Sequence, residues 1–158
     1  MIYATLKLLH VLAIVVWIGG MVFAHFFLRP AVAQLEAPAR VRLMHDVLGR
    51  FFRAVLVASL LTLASGIWML GRVAKQVVQS GGSFEMPLYW TLMAVLGVAM
   101  VAIFMHIRFA LYKRLSRAVQ ATDWPAGGVA LAQLRVWVAV NLGLGLVIVL
   151  ATLMKWPA

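Results

Sequence analysis

Four long stretches of apolar residues, separated by short polar segments, dominate the hydrophobic pattern of the chain. Each stretch is close to the roughly 20 residues that an α-helix needs to cross about 30 Å of hydrocarbon. None of them alternates between polar and apolar residues as the strands of a membrane barrel do. Because a backbone in lipid must satisfy its hydrogen bonds internally, the stretches are predicted to be helices. The pattern predicts an all-α integral membrane protein, an up-down-up-down four-helix bundle with one transmembrane domain over residues 1–158. The predicted spans are residues 2–28, 53–73, 87–113 and 132–155.

The segment between the first two spans has a different pattern. From Ala31 to Leu48, apolar residues alternate with arginines at helical spacing, and Pro30 and Pro38 interrupt the run. This pattern predicts an amphipathic helix, and it fits two placements. The helix either lies on the membrane surface or extends span two beyond the membrane.

Composition narrows the class of protein further. Hydrophobic residues make up 65% of the chain and charged residues only 11%, which no ordinary soluble domain matches. The chain has a net charge of +10, and its basic residues lie between the apolar stretches. Attraction to the lipid bilayer explains basic residues at these positions, so no nucleic-acid partner is expected. The chain has no cysteine, which excludes disulfides, thiolate metal sites and cysteine nucleophiles.

The distribution of lysine and arginine predicts the orientation. Ten of the 14 lie around the first and third loops, and an excess of these residues marks the cytoplasmic side. We therefore expect a bacterial inner membrane protein with both termini in the periplasm. The ten residues are Arg29, Arg40, Arg42, Arg50, Arg53, Arg108, Lys113, Arg114, Arg117 and Arg135.

Acidic residues are missing from the predicted spans. The four in the chain, Glu36, Asp46, Glu85 and Asp123, fall in loops or at helix ends. Proton-coupled transporters usually relay protons through intramembrane carboxylates, and glycosidases need paired carboxylates. Both classes are therefore disfavoured. No P-loop, G-x-S-x-G or H-E-x-x-H motif is present, so the sequence identifies no catalytic residue.

The four histidines are the residues that predict chemistry. His10 is predicted to lie about 10 Å below the outer boundary of the membrane, and His25 about 22 Å deeper. His45 and His106 are predicted at the depth of His25, so these three could converge while His10 stands apart. A histidine inside a membrane either binds a ligand or hydrogen-bonds between helices. Histidine is the commonest ligand of haem iron and of copper in such bundles.

The surroundings of His10 suit a large ligand. Trp17 lies seven residues later on the same helix face, which small residues continue. Small residues let a helix or a flat macrocycle approach the backbone. Span two carries a similar small face, formed by Ser59, Thr62 and Gly66.

Methionines supply the rival chemistry. Met69, Met86, Met93 and Met154 are all predicted in the outer third of the membrane. A thioether sulfur binds Cu(I) well and can also be an axial ligand of haem iron. Methionine also fills apolar gaps without any ligand, so the cluster by itself leaves both interpretations open.

Two short patterns resemble a known family. His10 followed by Trp17-Ile18-Gly19-Gly20 resembles the first span of copper-resistance D (CopD-like) membrane proteins. Ser65-Gly66-Ile67-Trp68-Met69-Leu70 resembles the second span of that family and of the related HemJ-like protoporphyrinogen oxidases. The resemblance covers residues 3–115. It implies a four-helix bundle with a histidine-ligated b-type haem or a copper-handling role, and it places the family histidine of span one at His10. HemJ-like proteins carry a lysine near the start of span three, whereas residues 87–91 contain none, which argues against that oxidase activity.

Three functions follow from these observations. The preferred one is a haem b protein with a redox or haem- or porphyrin-handling role, which makes it a candidate membrane oxidoreductase with a redox partner. Either His10 binds the haem in the outer half, with Trp17 on the same face and Met93 or no protein ligand opposite, or His25 and His106 bind it in the inner half, at the depth of His45. An arginine rim that includes Arg53 would pair with haem propionates or with anionic lipid. The alternatives are a copper-binding or copper-transporting protein that uses His10 and the outer methionines, and a structural subunit without cofactor. Small-residue faces permit a homodimer without requiring one.

Overall fold

Residues 1–154, the part of the chain that the computed structural model describes, are almost entirely helical and contain no β-strand. The elements are α1 (Ile2–Val22), a π-helical turn (Phe23–Leu28), α2 (Arg29–Val32), α3 (Ala37–Gln79), α4 (Leu88–His106), a second π-helical turn (Ile107–Leu111), α5 (Tyr112–Gln120) and α6 (Trp124–Met154). Four continuous helical stretches are long and apolar enough to cross a membrane. They are Ile2–Val32, Ala37–Gln79, Leu88–Gln120 and Trp124–Met154, named spans one to four below. The predicted all-α protein with four membrane-crossing helices is confirmed. The predicted end of span four at residue 155 lies outside the described residues.

Span two decides between the two placements of the amphipathic segment. α3 is one helix of 43 residues, and the apolar residues of its first turns, Val41, Met44 and Leu48, are buried against the bundle. Pro38 lies in its first turn, where its missing N–H costs nothing. The arginine-containing segment from residue 37 onward is therefore an extension of span two.

The far end of α3 stops at a glycine turn. Gly81 has a φ of 83°, and the Gly82 N–H donates to the Val77 carbonyl at 3.0 Å. This is the left-handed helix ending that glycine adopts without a steric penalty. The chain then turns back toward α4, which begins after Pro87.

Each of spans one and three contains one π-helical turn. At the end of the first turn, the Arg29 N–H donates to the Ala24 carbonyl, five residues back. Pro30 follows directly and cannot donate a hydrogen bond, so a wider turn here avoids part of the clash that proline causes in a regular helix. The second turn ends with the Tyr112 N–H bonded to the Ile107 carbonyl. No proline explains this one.

Spans one and two run antiparallel and form one tight pair. The His10 ring contacts Ser65, and Gly20 lies against the Phe51 ring. The residue numbers of the contacting pairs therefore rise along span one as they fall along span two. The end of the bundle that carries Gln79 and Leu88 is called the His10 end below.

Spans three and four form the second pair. Met100 packs on Gly145, and the His106 and Trp137 rings lie 5.2 Å apart. Ile18 of span one also packs on Gly145, so span four joins the two pairs. The end of the bundle that carries α2, α5 and the start of α3 and α6 is called the Tyr112 end below.

A column of aromatic rings runs from the bundle centre toward the Tyr112 end. Phe104 lies edge-on to Trp17 at 5.8 Å and to Phe52 at 6.1 Å, measured between ring centroids. Phe52 in turn lies edge-on to Tyr112 at 5.5 Å. The Tyr112 ring stacks on His45 at 5.2 Å with an interplanar angle of 4°. Edge-to-face pairs of this kind are favourable beyond the area that they bury, so the column joins all of spans one, two and three.

Candidate functional site

The His10 side chain lies in a notch on span two. Its Nδ1 is 2.9 Å from the Ser65 hydroxyl oxygen. A Cβ placed on Gly66 would come within 3.3 Å of the His10 Cε1 atom. The serine and the glycine thus form one side of a seat for the imidazole. Gly66 belongs to the small face predicted on span two, whereas Ser65 does not.

The hydrogen bonds around Ser65 favour one tautomer of the His10 imidazole. The Ser65 hydroxyl donates its own proton to the Leu61 carbonyl, one helical turn back. Its oxygen can then only accept from His10, so Nδ1 carries the proton and Nε2 keeps its lone pair. A histidine oriented in this way through one nitrogen and free at the other has the arrangement found in metal sites.

Two methionines lie near this level of the bundle. Met69 follows Ser65 by four residues and so lies on the same face of α3, one turn closer to the helix end. Met93 is placed by counting from Gly145, which contacts both Ile18 and Met100. His10 precedes Ile18 by eight residues and Met93 precedes Met100 by seven. At 1.5 Å per residue, His10 and Met93 therefore lie at the same level, each about 10–12 Å from the level of Gly145. Both methionines are half-buried.

The other three histidines lie apart from His10 and have different surroundings. His45 places Nε2 3.1 Å from the Ser116 hydroxyl and Nδ1 3.2 Å from an Asp46 carboxylate oxygen. His106 packs against Trp137 on an exposed face. His25 packs against Phe26 of its own helix, with ring centroids 4.9 Å apart. Within residues 1–154, no group of three histidine, aspartate or glutamate side chains could hold a metal ion.

The two other predicted site residues differ in burial. Trp17 is only 4% exposed and packs on Phe104 at the bundle centre. Arg53 is exposed on the outside of α3. Arg53 lies twelve residues before Ser65 on α3, about 18 Å along the helix, and is therefore remote from His10.

The cavities bear on the haem hypothesis. A pocket for a ligand of drug or cofactor size usually measures about 300–1,000 Å³. The cavity at the bundle centre has about 10 Å³. A groove of about 520 Å³ lies along α3 residues Ile67–Gln79, and no histidine lines it. Among the described residues these two spaces give no seat for a macrocycle at His10, so haem binding gains no support here.

Sequence analysis missed one buried polar residue, Asn141 of span four. Its side chain is 1% exposed, and it lines the small central cavity together with Trp17 and Phe52. It is the single amide in the middle of an apolar stretch. A polar residue in the middle of a predicted span is a functional candidate by default, so this signal was present in the sequence.

Comparison with known proteins gives one match. The family model described as CopD, copper resistance protein D, matches residues 45–155, more than two-thirds of the chain. No curated protein matches the chain, and no solved structure does. The matched region contains most of span two and all of spans three and four, including Ser65, Gly66 and Met93, whereas His10 lies before it. A copper-related, multi-pass membrane protein fits both this match and the four apolar spans. The chain belongs to the copper resistance protein D family.

Proposed function

We propose that this protein binds Cu(I) inside the membrane through His10 Nε2 and a methionine thioether, as a step in copper transport. The observation that supports it best is the hydrogen-bonded series from His10 Nδ1 through the Ser65 hydroxyl to the Leu61 carbonyl. That series directs the free lone pair of His10 away from Ser65. The choice of copper as the metal is supported by the match to the copper resistance protein D family.

The donor set suits Cu(I) better than a harder ion. Imidazole nitrogen and thioether sulfur are ligands that Cu(I) accepts, whereas Ca²⁺ and Mg²⁺ require oxygen ligands. Met93, at the level of His10, and Met69, on the face of α3 that carries Ser65, are the proposed sulfur donors. Ser65 would not bind the metal itself but would hold the imidazole ring of His10 in place.

The charge distribution supports an orientation for this site. The Tyr112 end carries most of the lysines and arginines, and we propose that it faces the cytoplasm of a bacterial cell. His10 would then lie near the opposite face of the inner membrane. Copper arriving from outside the cytoplasm would meet His10 and the methionines before it met the tightly packed Tyr112 end.

Metal titration tests the copper site. Purified protein in detergent would be titrated with Cu(I) against a coloured Cu(I) chelator, alongside the His10→Ala, Met93→Leu and His106→Ala variants. We expect His10→Ala to abolish tight binding, Met93→Leu to weaken it, and His106→Ala to bind as the wild type does. The proposal fails if His10→Ala binds Cu(I) as tightly as His106→Ala. An absorption spectrum of the same samples, oxidised and reduced, tests the haem alternative directly.

Cysteine labelling tests the orientation, because the natural chain has no cysteine of its own. Ser83→Cys lies between spans two and three, and Ala121→Cys lies between spans three and four. In intact cells, a membrane-impermeant maleimide should label the cysteine at residue 83 and not the one at residue 121. The reverse pattern would contradict the orientation and leave the copper titration unaffected.

A further inference from the structure

All four spans meet at one point near the middle of the bundle, around the Asn141 side chain. The small cavity there has about 10 Å³ and is lined by residues from every span. Its other lining residues are Trp17, Met21, Phe51, Phe52, Val55, Phe104, Ile107 and Val138. Asn141 is the polar member of this set.

The Asn141 amide is buried without a partner. In the described part of the chain, neither its Oδ1 nor its Nδ2 atom has a hydrogen bond to another protein group. A buried donor or acceptor that is left unsatisfied loses the hydrogen bonds that it would make in water, which destabilises the fold. An asparagine can link transmembrane helices by hydrogen bonds, but that role needs a polar side chain opposite, and the lining supplies aromatic and aliphatic groups.

The size and polarity of the cavity identify the ligand. About 10–15 Å³ is the space that one water molecule requires. A water molecule can donate to Oδ1 and accept from Nδ2, so it relieves both unsatisfied atoms. A dehydrated cation would lie among neutral groups with no negative charge to offset its lost hydration. We propose that Asn141 binds a single buried water molecule at the point where the four spans meet.

This water site goes beyond the copper proposal and does not depend on it. The bound water would make the centre of an otherwise apolar bundle polar at one point. It would link span four to its neighbours through hydrogen bonds that the side chains alone do not make.

Hydroxyl-radical footprinting in ¹⁸O-labelled water tests the proposal. A short X-ray pulse converts water next to a side chain into radicals that oxidise it, and methionine reacts readily. Met21 lines the cavity and is 2% exposed, whereas Met100 and Met44 are 5% and 8% exposed and lie outside it. By exposure alone, Met21 should react slowest. A bound water reverses that order, so we expect Met21 in the wild-type protein to be oxidised several-fold faster than either control.

Two variants make the result specific. Asn141→Leu removes the amide, and Val138→Ile keeps it but fills the cavity with one more carbon. Both should lower the oxidation rate of Met21 to that of Met100 while Met44 stays unchanged. Should Asn141→Leu fail to fold, Val138→Ile and the wild-type ranking still decide the question. Wild-type Met21 that reacts no faster than Met100, or that keeps its rate in both variants, would overturn the proposal.

Discussion

At the Tyr112 end, large side chains fill the space between the helices, whereas at the His10 end the buried positions are small or polar. Phe52 and Phe104 are no more than 2% exposed, and Leu115 is fully buried. Toward the His10 end, the buried residues of α3 are Ala58, Ser59 and Ser65. The difference indicates that close packing of large side chains stabilises the Tyr112 end, whereas small buried side chains let the helices approach one another closely at the His10 end.

The contrast is weaker for polar groups, because Arg108 Nε, next to Tyr112, is also buried without a partner in the described residues. At the Tyr112 end the Tyr112 hydroxyl donates to the His45 carbonyl at 3.1 Å, and His45 itself is bonded on both ring nitrogens. At the His10 end the Thr62 and Thr152 hydroxyls are buried without a partner in the described residues. A satisfied network makes a structure rigid, whereas each unsatisfied buried group requires a bound water, an ion or another explanation.

The largest expected effect is on stability at the aromatic column. Phe52→Ala should lower the free energy of unfolding by about 3–5 kcal/mol, because Phe52 is 1% exposed and a cavity would remain. Unfolding in mixed detergent, followed by circular dichroism, measures this. The control is Leu60→Ala on the same helix, whose side chain is 56% exposed. Equal losses in the two variants would show that the column has no special role.

A close approach at Gly49 gives the next largest effect. A Cβ on Gly49 would collide with the Tyr112 hydroxyl, so Gly49→Ala should cost about 1–3 kcal/mol of stability, as overpacking usually does. Adding Tyr112→Phe removes the colliding oxygen and should recover much of the loss. Gly97→Ala is the matched control, because a Cβ there meets nothing within 4 Å. A loss in Gly97→Ala as large as in Gly49→Ala would contradict this explanation.

At the His10 end, substitutions should change metal affinity more than stability. Ser65→Ala removes the acceptor that orients His10, and loss of such a supporting group typically lowers metal affinity 10–100-fold. Ser59→Ala is the control, since Ser59 also donates to a carbonyl of its own helix, at 2.9 Å, and is fully buried. Cu(I) competition titrations of both variants compare them. If Ser59→Ala weakens binding as much as Ser65→Ala, the effect comes from helix distortion and not from His10.

The sequence predicted the four helices better than it predicted how the helices pair. Long apolar stretches define spans wherever the helices lie, since only length and hydropathy matter. The neighbours of each helix are harder to predict. Lipid tails are as apolar as the protein interior, so the helix face that contacts lipid and the face that contacts protein have similar hydropathy. The small face of span two was identifiable, whereas its contact with His10 needed the structure.

For a similar reason, the sequence did not predict contacts between polar residues that lie far apart along the chain. His45 was placed at the depth of His25 and His106 by counting residues, yet its ring nitrogen is bonded to Ser116, 71 residues away. Depth along a helix follows from residue number at 1.5 Å per residue, but the direction of a side chain around the axis depends on packing. The three histidines therefore share a predicted depth and have separate surroundings.

The smallest effect expected is at this bond between His45 and Ser116, which ties α3 to α5. Ser116→Ala removes one partly buried hydrogen bond and should cost about 0.5–1.5 kcal/mol of stability. Gln133→Ala is the comparison, because Gln133 accepts an exposed bond from Arg114 at 3.3 Å and should change stability by less than about 0.5 kcal/mol. The Cu(I) affinity should stay unchanged in both variants, since neither residue lies at the His10 end. A Ser116→Ala variant that keeps its stability but loses copper would instead show that the two ends of the bundle are coupled.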